Sequence, residues 1–230
     1  KFLFPSMKSH LIATSLIFGS FAAPAFADES KNLYLSVGGG LAFPSDVEGN
    51  ANLGGVEYDA SFPVDQTGFY SLAIGAQSKY FRLEFNYQGA NVSTSTINTT
   101  NSVTGASAVS TITPDFELDI KSYMLYGYID ANNEAKFTPY IGFGAGISEI
   151  SGEDQTATVA GANYSLIGTE ETAFTFGGKI GANFKISDST AIYTEATYIN
   201  IGDISVGTAI PVNYDATNIY AASAGLKFNF

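Results

Sequence analysis

Six charged residues are set into stretches that are otherwise apolar, aromatic or glycine-rich: Arg82, Glu84, Lys121, Lys179, Glu195 and Lys227. In FRLEFNYQ (81–88) the polar residues Arg82, Glu84, Asn86 and Gln88 alternate with Phe81, Leu83, Phe85 and Tyr87. Between 174 and 186, Thr175, Lys179, Asn183 and Lys185 alternate against Phe174, Phe176, Ile180, Ala182, Phe184 and Ile186. A period of two belongs to a β-strand, whose successive side chains point to opposite faces. Charges gathered on one shared face can do one thing well, which is to pair. An unpaired buried charge is costly, so the two glutamates are expected to sit among the basic side chains in a hydrogen-bonded network, with water or loop groups meeting the excess positive charge.

Catalytic chemistry has little to draw on. The one histidine, His10, lies near the N-terminus, and cysteine is absent. Loop hydroxyls such as Ser93, Thr94, Ser95 and Thr96 therefore have no imidazole to activate them, and thiolate chemistry and disulfides are excluded. Asp46, Glu48, Asn50, Asn52 and Glu57 copy part of an EF-hand rhythm, but the position that needs glycine for the sharp turn is Ala51. The reading is no enzyme, no cofactor, no metal and no catalytic residue.

The elements that must carry the charges are eight stretches of alternating or β-rich character: 33–43, 68–77, 80–88, 116–130, 138–148, 172–186, 190–202 and 218–230. Each is about long enough to cross a bilayer as a tilted strand, for which ~9–11 residues suffice. The connections alternate in length. Long ones follow the first, third, fifth and seventh strands (44–67, 89–115, 149–171, 203–217), and short ones follow the second, fourth and sixth (78–79, 131–137, 187–189). Long loops at one end and short turns at the other describe an outer-membrane barrel. The fold class expected is all-β, an eight-stranded antiparallel transmembrane β-barrel.

In a membrane the polar faces turn inward, because lipid takes the apolar ones. That assignment sends all six charges into the lumen with Tyr34, Tyr123, Tyr140 and Tyr193, and lets Gly38, Gly40, Gly142, Gly144, Gly146, Gly177 and Gly181 make room for them. A lumen of eight strands is only wide enough for side chains to pack across it, so the cluster reads as a structural plug, with a gated ion path as the alternative. Two aromatic girdles are expected at the headgroup levels: Phe81, Tyr128, Phe184, Phe228 and Phe230 at the periplasmic rim, and Phe43, Tyr70, Tyr87, Phe174 and Tyr220 at the outer one.

The two ends of the chain agree. Met7-Lys8, the apolar 11–21 and Ala25-Phe26-Ala27 read as a secretory signal peptide over 1–27, expected to be removed after Ala27, with 1–6 lying ahead of the first methionine. Residues 28–230 form the barrel domain. At the C-terminus, Tyr220, Ala222, Ala224, Leu226, Phe228 and Phe230 share one face and end on an aromatic residue. All 22 acidic residues and eight of the ten basic ones lie after Ala27, which argues against nucleic acid as a partner. Many of the acids fall in the long loops and make the outer surface anionic, while 91–113 is almost wholly Ser, Thr, Asn, Ala and Val and is either an extended hairpin or mobile.

The stretches TPYIGFGAGI (138–147), IYTEATYINIG (192–202) and GLKFNF (225–230) resemble strands of small bacterial outer-membrane barrels of the OmpA, OmpX and opacity-protein type, including related surface antigens. The resemblance implies an outer-membrane location in a Gram-negative bacterium and recognition of the C-terminal strand by the barrel assembly machinery. It also implies a structural, adhesive or antigen-like role played by the loops toward a host or cell-surface ligand. Outer-membrane lipid is the other partner, and a monomer is expected. The OmpA kind often adds a periplasmic peptidoglycan-binding domain, which this sequence does not show. A narrow porin-like channel is the second function carried forward.

Overall fold

The computed structural model describes residues 32–230 except 54, 133, 153–154, 160–161, 167–169 and 207–211. The signal peptide read over 1–27 lies outside the described residues. Eight antiparallel strands form a closed ring: β1 (Asn32–Pro44), β4 (Thr67–Gln77), β5 (Phe81–Asn101), β6 (Ser107–Asp130), β7 (Phe137–Ser151), β10 (Glu170–Lys185), β11 (Thr190–Ile201) and β14 (Thr217–Asn229). Each pairs with the next, and β14 closes on β1 from Tyr34↔Asn229 to Pro44↔Ile219. Closure leaves no free edge, the condition for a sheet to stand in lipid.

Alternation decides what faces where. On β1, Leu33, Leu35, Val37, Leu41 and Phe43 are exposed on the outside, while Tyr34, Ser36 and Ala42 are buried within. The same holds for Leu72 and Ile74 on β4, Phe174, Phe176, Ile180 and Phe184 on β10, and Tyr220 and Leu226 on β14. An exposed apolar band of this extent on a ring whose interior is polar is a lipid-facing surface.

The short connections are tight turns. Ser78 N–H donates to Phe81 O at 2.8 Å, and Ile186 N–H donates to Thr190 O at 2.9 Å. In the 131–136 turn, Asn132 Oδ1 accepts the Glu134 N–H at 2.9 Å, and its carbonyl accepts the Thr138 hydroxyl at 2.8 Å. All three lie at the end where β4, β6 and β10 finish.

At the opposite end the long connections are themselves β-structure. β5 and β6 run on as one hairpin far past the ring, 21 and 24 residues long, roughly twice what a tilted strand needs to cross a bilayer. A register shift between Thr94 and Thr96 marks where they leave the ring. Asn101 Oδ1 caps the hairpin tip by accepting the N–H groups of Val103 and Thr104 at 3.0 and 2.9 Å, and Gly105 supplies the left-handed φ of +69°. The first connection folds into β2 (Val47–Leu53) and β3 (Val56–Phe62), the third into β8 (Gln155–Val159) and β9 (Ala162–Leu166), and the fourth into β12 (Ile204–Val206) and β13 (Val212–Tyr214). They pair with one another and with the hairpin in the order β12-β13-β2-β3-β5-β6-β8-β9. The four loops therefore make one continuous second tier above the barrel. The 91–113 stretch is the extended hairpin of the two forms expected for it.

Candidate functional site

Inward glycines let inward tyrosines lie flat across the lumen. A Cβ built on Gly142 would fall 2.3 Å from the Tyr128 ring, and one on Gly75 would fall 2.5 Å from the Tyr34 phenol. The tyrosines in turn orient the carboxylates. Glu84, on β5, accepts from the Tyr34 hydroxyl at 2.7 Å, the Tyr128 hydroxyl at 2.8 Å and the Asn86 amide at 3.3 Å. Glu195, on β11, accepts from the Tyr140 hydroxyl at 3.0 Å and the Thr197 hydroxyl at 3.3 Å. Lys179, reaching in from β10, stands between the two, 3.0 Å from Glu195 and 4.0 Å from Glu84, with its ammonium 4.5 Å from the Tyr126 ring centre.

Arg82 and Lys227, also inward, take other partners. Arg82 Nε donates to both oxygens of Asp130, at 3.0 and 2.9 Å, while its guanidinium lies 4.0 Å from the Tyr128 ring centre and 4.4 Å from that of Tyr140. Lys227 donates to the Gln77 side-chain carbonyl and sits 4.2 Å over the Tyr34 ring. Four buried atoms, Arg82 Nη2, Asn86 Oδ1, Tyr126 Oη and Asn183 Nδ2, have no hydrogen-bond partner among the described residues. The free space at this level is about 10 Å³, about that of one water probe.

One strand contradicts the inward assignment. On β6 the buried set is Ser122, Met124, Tyr126, Tyr128 and Asp130, so Lys121 is exposed on the outside and Tyr123 shares its face. Tyr128, expected in the periplasmic girdle, is buried in the lumen instead. The reason is positional. Lys121 lies near the outer rim, directly across from Glu149 on β7, where an outward charge meets headgroups and water. Tyr123, 3.4 Å from the Glu149 carboxylate, joins the outer girdle through its ring contact with Tyr87 at 5.3 Å, and Tyr87 in turn meets Tyr70 at 5.9 Å. Asp130, absent from the six expected charges, is the residue that the reversed face brings to Arg82.

The lumen is also divided along its length, which the sequence reading missed. The charge cluster fills the half nearer the short turns. Above it Ser122, Ser148 and Thr175 bond to each other, with 2.7 Å between the serine hydroxyls and 2.8 Å from Thr175 to Ser148. Beyond this belt the interior turns apolar: Ile150, Ala173, Ile199 and Ile201 pack together with Leu118, Ile120, Ile204 and Ile219 against them. The available signal was that 118, 120, 199 and 201 keep apolar residues on the inward parity right up to the loops.

The EF-hand-like rhythm of the first loop is divided between strands: Glu48, Asn50 and Asn52 lie on β2 with Asp46 just ahead of it and Glu57 on β3; Asp46, Glu48, Asn52 and Glu57 are exposed, and Asn50 accepts from the Asn213 amide at 3.4 Å. An extended strand strings such residues out along one face and does not wrap them round an ion.

Over residues 13–230 the sequence matches the family described as outer membrane protein beta-barrel domain. The chain belongs to that family. The chain is also similar to outer membrane protein PagN of Salmonella typhimurium (strain LT2), 30% identical over 90 residues that make up 39% of this chain and 38% of PagN. This chain thus spans well under half the length of PagN in that match. Among solved structures, OprG of Pseudomonas aeruginosa superposes with a TM-score of 0.56 at 13% identity, over 87% of this chain and 97% of OprG. The outer membrane protease OmpT of Escherichia coli superposes with a TM-score of 0.52 at 10% identity, over 89% of this chain and 99% of OmpT. At such identities the likeness shows the fold alone. The beta-barrel family membership and the lipid-facing band place the protein in the outer membrane, with its loop tier at the end away from the short turns.

Proposed function

We propose that the protein is a closed, non-catalytic barrel whose loop tier mediates surface interaction. The observation that carries this reading is the division of labour along the axis: ion pairs and tyrosines fill the half of the lumen nearer the short turns down to about 10 Å³, while the long loops are built into a continuous sheet outside. A rigid scaffold that presents extended loops suits recognition, and a polar path interrupted by a packed plug does not suit conduction. The loop tier is anionic, with Asp46, Glu48, Glu57, Asp59, Asp115, Glu117, Asp119 and Asp203 all exposed, so a basic or neutral partner surface is favoured over an acidic one. Residues 28–230 form the mature barrel in this reading, delivered by the signal peptide at 1–27, recognised through β14 during assembly and working as a monomer. The absence of histidine after His10 supports a role without acid–base catalysis.

The test uses one purified protein. In a planar bilayer it should carry no steady current, and on cells, removing 96–111 should abolish binding to whatever surface the intact protein binds while leaving the barrel folded. Steady currents that survive the deletion and change in Lys179→Ala would overturn the reading in favour of a channel.

A further inference from the structure

Above the hydroxyl belt lies a cavity of about 130 Å³, walled by Val92 and Ile150 from the barrel and by Phe62, Phe116, Ile204 and Tyr214 from the loop tier. A smaller hollow of about 40 Å³ continues it downward, and Val92 and Ile120 line both. Of the polar side chains that line the chamber, the Ser93 and Tyr214 hydroxyls make no hydrogen bond among the described residues, and others nearby are engaged. The Thr94 hydroxyl donates to Thr96 O at 3.0 Å, and the belt hydroxyls of Ser122, Ser148 and Thr175 bond to one another. Only Asp215, at the exposed rim, brings a charge.

We infer that this chamber is a binding site for a small uncharged apolar molecule, about the size of one aromatic ring or a short alkyl chain, held at the outer mouth of the barrel. Three features converge on that class. The size is close to the ~150 Å³ at which a cavity lined by aliphatic and aromatic side chains stays dry and takes up benzene. The walls come from both storeys of the molecule and their upper members, Phe62, Phe116, Ile204 and Tyr214, are only half-buried, so the chamber is reached from outside. Covering that surface with an apolar guest removes it from water, and against that largely apolar wall the lining offers a polar guest only the Ser93 and Tyr214 hydroxyls. Asp215 and the anionic tier repel a carboxylate. Below, the packed charge cluster closes the way to the periplasm, so the chamber retains its guest and does not pass it on. This inference concerns the interior mouth and stands apart from the reading of the loop surface given above.

The probe is benzene, added to the full mature chain in lipid nanodiscs with isoleucine methyl groups labelled for NMR. The methyl signals of Ile150, Ile201 and Ile204 should shift and saturate, whereas those of lipid-facing Ile74 and Ile180 should drift in proportion to benzene dissolved in the bilayer. Benzoate should need at least tenfold higher concentration. Val92→Trp, which fills the chamber, should abolish the saturable response. Should that variant fail to fold, Phe116→Ala enlarges the space and should extend the response to naphthalene. Contacts between lipid acyl protons and the same three methyl groups before any addition, lost with deuterated acyl chains, would support the site with a lipid chain as its natural guest. Equal, unsaturable drift at chamber and lipid-facing methyls without such lipid contacts would overturn the inference, as would equal affinity for benzoate.

Discussion

Arg82 and Asp130, on neighbouring strands, are joined through one nitrogen that donates to both carboxylate oxygens at 3.0 and 2.9 Å, with both side chains almost wholly withdrawn from solvent. Breaking a buried pair from one side leaves its partner's charge uncompensated, at a cost of about 3–5 kcal/mol. Asp130→Asn should lower the unfolding free energy of the barrel in lipid by that order, read as a lower urea midpoint at unchanged slope.

The pair Lys179 and Glu195 predicts a similar loss for Glu195→Gln, and it offers an internal check. Lys179 also stands 4.0 Å from Glu84, so adding Lys179→Met to Glu195→Gln strips Glu84 of that cation, and the double variant should be no more stable than Glu195→Gln alone. A double variant more stable than the single one would show that Glu84 draws its support from Arg82 and the tyrosines and not from Lys179.

The reversed face of β6 is open to a chemical test, since the chain contains no cysteine to confuse it. Lys121→Cys should react with a membrane-impermeant maleimide on whole cells. Met124→Cys, fully buried in the lumen, should stay unlabelled until the barrel is denatured. Labelling of 124 in place of 121 would restore the opposite assignment.

Glycine positions that look alike in sequence should respond differently. Gly142→Ala puts a methyl group 2.3 Å from the Tyr128 ring, which is held by Glu84 and Arg82, and overpacking of this kind costs about 1–3 kcal/mol. Gly127→Ala meets nothing within 4 Å and should change stability by less than about 0.5 kcal/mol. Urea midpoints of the two variants in the same lipid make the comparison.

Orientation follows from where the turns lie. An epitope tag after Ser102, at the hairpin tip, should be reached by antibody on intact cells, and one after Asp188, in the tight turn between β10 and β11, should be reached only after the outer membrane is opened.

Most of the barrel was legible because its code is binary. Where one face meets lipid and the other a packed polar lumen, as in 81–88 or 218–230, alternation names the strand and its inward set together. Two physical circumstances defeated that code. Tyrosine suits either side, so Tyr123, Tyr126 and Tyr128 left β6 without a clear parity, and the single charge of Lys121 then decided it wrongly. Outside the bilayer both faces are wet or contact other loops, so the extensions of β5 and β6 through Ser-, Thr- and Asn-rich sequence carried no alternation to read. The pairing of Arg82 with Asp130 and the apolar chamber were invisible for the same reasons, one resting on the parity of β6 and the other on a lumen that changes character at Ser122 and Ser148.

The loop tier has a consequence for how the protein is seen by an immune system. Because β2, β3, β5, β6, β8, β12 and β13 are hydrogen-bonded into one sheet, a surface patch a few residues wide draws on two or three loops at once, as where Asn213 lies across from Asn50 and Asp59 across from Thr100. Antibodies raised against the folded protein would recognise assembled, discontinuous epitopes and lose them on unfolding. Escape by substitution would be concentrated at Val103 and Thr104 of the hairpin tip, whose N–H groups bond back to Asn101 of the same hairpin, while changes along the strands would have to be matched across loops far apart in the gene.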